Sequence, residues 1–172
     1  AITLLISIVA AAELPGIVQW LMGNLPPIEY GPLALLAVAV AAAAGWLMRE
    51  ARALNLMALG EEAATQLGVE SERVTRRLFL GGALLVGLLG AFSGPIGFVG
   101  LIVPHVARML FGPDNRILIP AAALLGGAFL VAADTVARTV ALPGEVPVGV
   151  ITAFAGTPFF VVLLRRRYRS LG

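Results

Sequence analysis

The sequence predicts an all-α fold: a polytopic bundle of transmembrane helices with short re-entrant or broken helices and one short helix in a cytoplasmic loop. Two observations carry this prediction. Hydrophobic residues make up 59% of the 172 positions and the mean hydropathy is +0.96, whereas soluble domains are roughly 45–50% apolar. Several apolar runs also reach the roughly 18–20 residues that a helix needs to cross a bilayer. We therefore expect an integral membrane protein.

The composition also excludes several kinds of site. The chain has no cysteine, which excludes disulfides, thiolate metal sites and thiol redox centres. Its basic residues are all arginines and its net charge is only +2, so we attribute them to membrane topology and expect no nucleic-acid partner. Because the sequence starts without methionine inside an apolar run, we expect further sequence upstream.

The first half of the chain predicts a partial span, a complete span and a polar loop. Residues 1–12 are apolar but cover only part of a bilayer, and residues 33–48 form the next span. The polar loop 54–77 follows. Arginines at and near both of its edges, such as Arg52 and Arg77, place this loop on the cytoplasmic side.

A short helix between two glycines is predicted inside the loop 54–77. Its first turn carries two glutamates, which the helix dipole favours at that end, and its alanines give it a smooth face of small side chains. We interpret this helix as a docking surface for a cytoplasmic partner. Its candidate contact residues are Gly60, Glu61, Glu62, Ala63, Ala64 and Gly68.

The second half must contain an even number of crossings, because arginines lie at both of its ends. Arg77 precedes the first apolar run and Arg165 begins the C-terminal RRRYR cluster, and the positive-inside rule places both on the same side. The uncharged stretch 78–104 must then be divided, and its Ser-Gly-Pro sequence at 93–95 is the breaker. The four predicted spans are 78–92, 96–110, 117–139 and 146–164.

The last of these spans is predicted to be a broken helix. It begins in a stretch rich in proline and glycine and is expected to break again at Gly156-Thr157-Pro158. Broken helices at membrane depth persist only where protein buries them or where they line a water-filled path. The span is therefore the candidate wall of a pathway, with five candidate lining residues: Val148, Gly149, Thr152, Gly156 and Thr157.

Few polar residues remain in the apolar runs. His105 is the only histidine, and with no second metal ligand near it in sequence we expect a structural hydrogen-bonding role. Asp134 and Arg138 have the i, i+4 spacing of an ion pair, and an outward docking contact of Arg138 is the alternative. The sequence contains no nucleophile–base set, paired carboxylates or glycine-rich nucleotide loop, so we expect neither catalysis nor a bound cofactor.

Four motifs, in order, resemble the permeases of ABC importers for iron-siderophores, haem and cobalamin. They are NLMALGEEAATQLGV at 55–69, SGPIGFVGLIVPHVAR at 93–108, ADTVART at 133–139, and GEVPVGVITA at 144–153 with GTPFF at 156–160. The resemblance covers the whole chain, which is similar to the C-terminal half of such a permease, from the middle of its fifth span onward.

The resemblance implies a mechanism and a set of partners. A second permease subunit would complete a homodimer or pseudo-dimer, with a pathway lined largely by residues 1–12 and 148–164. Two cytoplasmic ATPases would grip the coupling helix at 60–68. A periplasmic or lipoprotein substrate-binding protein would meet Arg138 through a glutamate. The resemblance further implies a multi-pass protein of the bacterial cytoplasmic (inner) membrane, embedded in lipid.

The predicted function is therefore the permease subunit of an ATP-driven importer. A secondary transporter or channel that uses the broken last helix is one alternative, and a structural scaffold is another. Asp134, already paired by its spacing, is the only acidic residue expected within the membrane, which argues against ion coupling. Among the family's substrates we choose an iron-siderophore because it is the commonest, with haem and cobalamin next.

Overall fold

The computed structural model describes residues 14–140 and 146–169, and these residues form helices joined by turns, with no strand among them. The predicted all-α class is therefore confirmed. The predicted partial span 1–12 and the turn 141–145 lie outside the described residues. Six helices follow a helical segment at 14–21: α1 (Tyr30–Met57), α2 (Glu61–Gln66), α3 (Ser71–Ser93), α4 (Val99–Phe111), α5 (Asn115–Val140) and α6 (Val148–Arg169).

Within residues 14–140 and 146–169, three helices, α1, α3 and α5, are long and apolar enough to cross a membrane. The apolar helix α4 is shorter, as is the apolar part of α6, Val148–Val161. Many large apolar side chains lie on the surface, and Leu84 and Leu124 are each 77% exposed. Exposed apolar surface on this scale indicates contact with lipid or with other protein.

The loop between α1 and α3 is shorter than the sequence predicts. It covers residues 58–70 instead of 54–77, because α1 continues to Met57 and α3 already begins at Ser71. Residues 54–57 (LNLM) are mostly apolar and residues 71–77 (SERVTRR) mostly polar, but neither segment contains glycine or proline. Leu, Met, Arg and Glu are all good helix formers, so the change in polarity does not mark the end of a helix.

The predicted break at 93–95 is present, whereas the predicted break in the last helix is not. Helix α3 ends at Ser93, and positive φ angles at Gly94 and Phe98 turn the chain before α4 begins. Helix α6, by contrast, runs through Pro158 without interruption. Pro158 has no N–H group to donate to the carbonyl of Phe154, so the helix continues with one backbone hydrogen bond fewer. The Thr157 hydroxyl donates to the adjacent carbonyl of Ala153 at 2.8 Å.

The described residues pack as two compact units. The first unit combines residues 14–26, 90–99, 130–140 and 146–169, and the second combines Pro27–Leu89 and Gly100–Phe129. The buried cluster of the first unit consists of Ala133, Ala137 and Val148, with Leu25, Leu130 and Ile151 packed against it. The core of this unit is thus built around one end of α5 and the start of α6.

A tight loop of residues 22–25, hereafter the Gly23 loop, lies against this cluster. The backbone N–H of Asn24 donates to the carbonyl of Ser93 at 2.9 Å, and the N–H of Gly149 donates to the carbonyl of Gly23 at 3.1 Å. One short loop therefore ties the last residue of α3 to the first turn of α6 through backbone groups alone.

Glycine is required where the backbones approach this closely. A Cβ atom at Gly149 would overlap the carbonyl oxygen of Met22, and one at Gly94 would overlap the carbonyl oxygen of Trp20. Gly94 also has a φ of 65°, a conformation that costs little for glycine. The neighbouring atoms are backbone, so they cannot move aside as the end of a flexible side chain would.

We expect Gly149→Ala to destabilise the protein, because the added methyl group meets a fixed carbonyl. Overpacking of this kind costs about 1–3 kcal/mol, and it should lower the thermal unfolding midpoint in detergent. Gly87→Ala is the matched control, because a Cβ there meets nothing within 4 Å and helix propensity favours alanine by up to about 1 kcal/mol. Equal midpoints for the two variants would contradict the close approach.

Candidate functional site

The short helix predicted in the loop is present as α2, with a glycine on each side of it. Gly60 is its N-cap residue, with a φ of 111°. Beyond its C-terminus, the N–H of Gly68 donates to Thr65 at 3.0 Å and the N–H of Val69 donates to Ala64 at 2.9 Å. This pair of hydrogen bonds is the Schellman motif, which favours glycine at the left-handed position, here Gly68 with a φ of 82°.

The two alanines of α2 do not form the outward face that the sequence predicts. Ala64 is fully buried and Ala63 is half-buried, and α2 packs against α1. The outward face instead presents both glutamates of the first turn together with two leucines that flank the helix, Leu59 at 69% and Leu67 at 60% exposure. Neither leucine is among the candidate contact residues predicted from the sequence, although apolar residues inside a polar loop were the available signal.

An open groove of about 550 Å³ lies beside α2 in the second unit. Acidic, basic and apolar side chains all contribute to its wall, and the hydroxyl of the buried Ser71 has no hydrogen-bond partner. The groove gives a partner access to α2 and to the first turns of α3 together. Its lining residues are Met57, Glu61, Ser71, Glu72, Thr75, Arg76 and Phe79.

Three polar residues, Asn55, Asp114 and Asn115, form a second feature of this unit, hereafter the Asn55 cluster. The amide nitrogen of Asn55 donates to Oδ1 of Asp114 at 2.6 Å. Its amide oxygen accepts hydrogen bonds from the backbone N–H of Asn115 at 2.9 Å and from the Asn115 side chain at 2.7 Å. The cluster thereby joins the last turn of α1 to the start of α5.

Asp114 is at the same time the N-terminal cap of α5. Its carboxylate accepts a hydrogen bond from the backbone N–H of Arg116 at 3.0 Å, one of the donors that a helix N-terminus leaves without an internal partner. The hydrogen bond from Arg116, followed by that from Asn55, holds the pKa of the Asp114 carboxyl below its ordinary value. The cluster is therefore built for an ionised aspartate.

The predicted ion pair between Asp134 and Arg138 is present in the first unit. Nε of Arg138 lies 2.8 Å from Oδ2 of Asp134, and Nη2 donates to the carbonyl of Leu25 at 3.1 Å. The Arg138 side chain nevertheless remains 47% exposed. The arginine is thus held in one orientation by the chain and is still accessible, so the ion pair and an external contact are compatible.

Four of the five candidate pathway residues pack inside the first unit. Val148 and Thr152 are buried, with exposures of 1% and 0%. Gly149 lies against the Gly23 loop, and Gly156 lies against the ring of Phe98. These four residues hold α6 against its neighbours in this unit, and their lining of a pathway stays a prediction. Of the five candidates, only Thr157 lies on the exposed face of the helix.

His105 lies half-buried in α4. Among the described residues, no group of three or more His, Asp or Glu side chains is placed to hold a metal ion. A structural hydrogen-bonding role for His105 stays a prediction.

Comparison with known proteins gives consistent matches. The FecCD transport family matches residues 1–166. The chain is 44% identical over 167 residues to the cobalamin import system permease protein BtuC of Halobacterium salinarum, covering 97% of this chain and 45% of the relative. It is 42% identical over 154 residues to the hemin transport system permease protein HmuU of Yersinia pestis, covering 89% and 46%.

A solved structure is similar as well. It is a metal-chelate type ABC transporter in an inward-facing conformation, with a TM-score of 0.78 and 36% identity, covering 90% of this chain and 50% of that one. The chain thus spans about half the length of these relatives.

The Asn55 cluster predicts a specific dependence of stability on pH. Because the folded-state pKa of Asp114 is lowered, its stabilising contribution is complete above the unfolded value of about 3.9 and is lost as the pH falls through the folded value. The thermal midpoint of the parent should therefore fall more between about pH 6 and about pH 3 than that of Asp114→Asn, which keeps a capping side chain without the charge. Parallel curves would show that the ionised carboxylate contributes nothing.

Proposed function

The chain belongs to the FecCD transport family, and from this premise we propose that it forms part of the permease subunit of an ATP-driven importer. The importer moves a metal chelate across the bacterial cytoplasmic membrane, and ATP is hydrolysed in a separate subunit. The observation that carries the proposal is α2, a structurally fixed helix with an exposed acidic and apolar face between two helices of membrane-spanning length.

The ATPase binds at α2. A partner in the cytoplasm can move membrane-spanning helices only if it binds a segment that joins them. Helix α2 is such a segment, since it packs against α1 and is bounded by a glycine at each end. Its exposed leucines supply apolar area at the centre of a contact, and the glutamates supply charge that fixes the partner's position. The adjacent groove admits a further part of the same partner.

The substrate-binding protein meets the permease at Arg138. The guanidinium is oriented by Asp134 and by the carbonyl of Leu25 and is still about half exposed. A preoriented arginine loses less side-chain entropy on binding a carboxylate than a flexible one does. A carboxylate on the binding protein is the complementary group.

The translocation pathway runs along the exposed face of α6, on which Thr157 lies. A second permease subunit supplies the opposite wall, as a homodimer or a pseudo-dimer. The residues buried on the other face of α6, such as Thr152, keep the helix in place while the exposed face meets the substrate.

A secondary transporter or channel has less support. That alternative depended on a broken last helix, and α6 is continuous. It also required an acidic group to couple ions, and the Asp134 carboxylate is already engaged by Arg138. No specific observation favours it over the importer.

The substrate is a metal chelate of the cobalamin, haem or iron-siderophore class. Relatives of this chain are named for cobalamin and hemin, so these two are the first compounds to test. An iron-siderophore, favoured on frequency within the family, is the third. Uptake of each labelled compound by the assembled transporter in liposomes distinguishes them.

Truncation of the two exposed leucines beside α2 should weaken ATPase binding. We expect the double variant Leu59→Ala/Leu67→Ala to bind its ATPase at least about fivefold more weakly, since this factor corresponds to the loss of about 1 kcal/mol of interface energy for the two side chains together. The control is Leu14→Ala/Leu21→Ala, which removes leucines of similar exposure, 56% and 57%, from the other unit. Equal ATPase affinity for both double variants, measured by co-purification and titration, would refute the contact at α2.

Reversal of the charge at Arg138 should weaken docking of the substrate-binding protein. We expect Arg138→Glu to reduce the affinity at low salt by more than about fivefold, with the difference shrinking as salt screens the charges. Asp134→Asn is the matched variant, because it removes the ion pair and keeps the arginine. If Arg138→Glu lowers the thermal midpoint but leaves the affinity unchanged, the residue serves only the internal ion pair.

A further inference from the structure

The Asn55 cluster joins two helices that are far apart in sequence. Asn55 lies in the last turn of α1, and its partners Asp114 and Asn115 lie 59 and 60 residues further along the chain. We propose that Asn55 is a positioning residue that makes α5 follow the movements of α2. This inference rests on the proposed binding of the ATPase at α2.

The α1 side of the connection is short. Helix α2 packs against α1, and only the residues 58–60 separate the two helices in sequence. The N–H of Ala58 donates to Leu54, and the N–H of Gly60 donates to Met57, so hydrogen bonds continue up to the N-cap of α2. A displacement of α2 by a bound partner is therefore transmitted directly to the last turn of α1, where Asn55 lies.

The orientation of the Asn55 amide is determined by two groups, one that can only donate a hydrogen bond and one that can only accept one. The backbone N–H of Asn115 is only a donor, and the ionised carboxylate of Asp114 is only an acceptor. The amide oxygen must face the first group and the amide nitrogen the second. Rotation of the amide by 180° would lose both hydrogen bonds, so the cluster has one arrangement and not two.

On the α5 side, the cluster holds the N-terminus of the helix. The N–H groups of Asn115 and Arg116, two of the donors that α5 cannot satisfy internally, bind Asn55 and Asp114 respectively. The carbonyl of Asp114 also accepts hydrogen bonds from Ile117 and Leu118. Asn55 therefore binds the backbone of the first turn of α5 as well as side chains.

Helix α5 then extends the connection. Its 26 residues correspond to about 39 Å, and Asp134 and Arg138 lie near its other end. The response expected of α5 is therefore read at its first turn, which lies in the same unit as α2.

The test uses a swap of the two side chains in the assembled transporter. Asn55→Asp places a second carboxylate against Asp114 and should break the connection. Adding Asp114→Asn restores one carboxylate and one amide, with an asparagine that still caps α5. The control is Gln19→Glu, the same change from amide to acid at an exposed position in the other unit.

The readout is a single cysteine at Leu118, a residue in the first turn of α5 that is 5% exposed. Because the chain contains no cysteine, Leu118→Cys reports its own environment. We expect its rate of reaction with a water-soluble maleimide to change at least about fivefold between nucleotide-free and ATP–vanadate states. This change should be lost in Asn55→Asp, regained in the swapped double variant and retained in Gln19→Glu.

Two results would overturn the inference. One is that the Leu118→Cys variant reacts with the maleimide at the same rate in both nucleotide states, or that Asn55→Asp leaves the difference between the two rates unchanged. The other is a purely structural effect, in which Asn55→Asp raises the reaction rate equally in both states or the swap fails to restore the response. Docking at α2 is measured separately, as protection of Gln66→Cys by the bound ATPase. If the bound ATPase does not protect Gln66→Cys, the proposed contact at α2 is refuted. The response of α5 is still judged by the reaction rates of Leu118→Cys.

Discussion

In a hydrocarbon environment every backbone N–H and C=O group must find its partner within the protein, and the rest of this structure depends on that constraint. It makes helices the only suitable element for the apolar runs. It also makes helix ends the critical positions, because each end leaves several backbone groups without an internal partner. The Gly23 loop and the Asn55 cluster both satisfy such groups, at the end of α3 and at the start of α5.

Both features use the same principle with different chemistry. The Gly23 loop satisfies backbone groups with other backbone groups, and it needs glycines because the chains nearly touch. The Asn55 cluster uses side chains, because an amide can donate and accept at once. The first kind of contact depends on the absence of a side chain, and the second depends on a side chain with both a donor and an acceptor.

The sequence was sufficient for features that depend on local chemistry. Hydropathy indicated helices, Gly94 and the following proline ended α3, glycines bounded α2, and the i, i+4 spacing identified the pair of Asp134 and Arg138. The sequence analysis failed where the end or the continuity of a helix depends on competition between local signals. Helix α1 continued through residues 54–57, α3 already began at Ser71, and Pro158 did not interrupt α6.

The facing of side chains was less predictable than the helices themselves. Nothing in the sequence shows that Ala64 points inward while Leu67 points outward, because this depends on how α2 packs against α1. The burial of Val148 depends in the same way on the Gly23 loop, more than a hundred residues earlier. The sequence did not predict the Asn55 cluster either, because Asp114 and Asn115 lie 59 and 60 residues after Asn55.

The apolar side chains that cover α3 and α5 have a consequence for biosynthesis. With residues such as Leu84 and Leu124 three-quarters exposed, the finished polypeptide would aggregate if it were released into water. Each long helix must therefore enter the lipid as it leaves the ribosome, before the residues that will pack against it have been made. The contacts between α1 and α5 can form only after both helices have been made, so the Asn55 cluster cannot assemble until at least 60 further residues have followed Asn55.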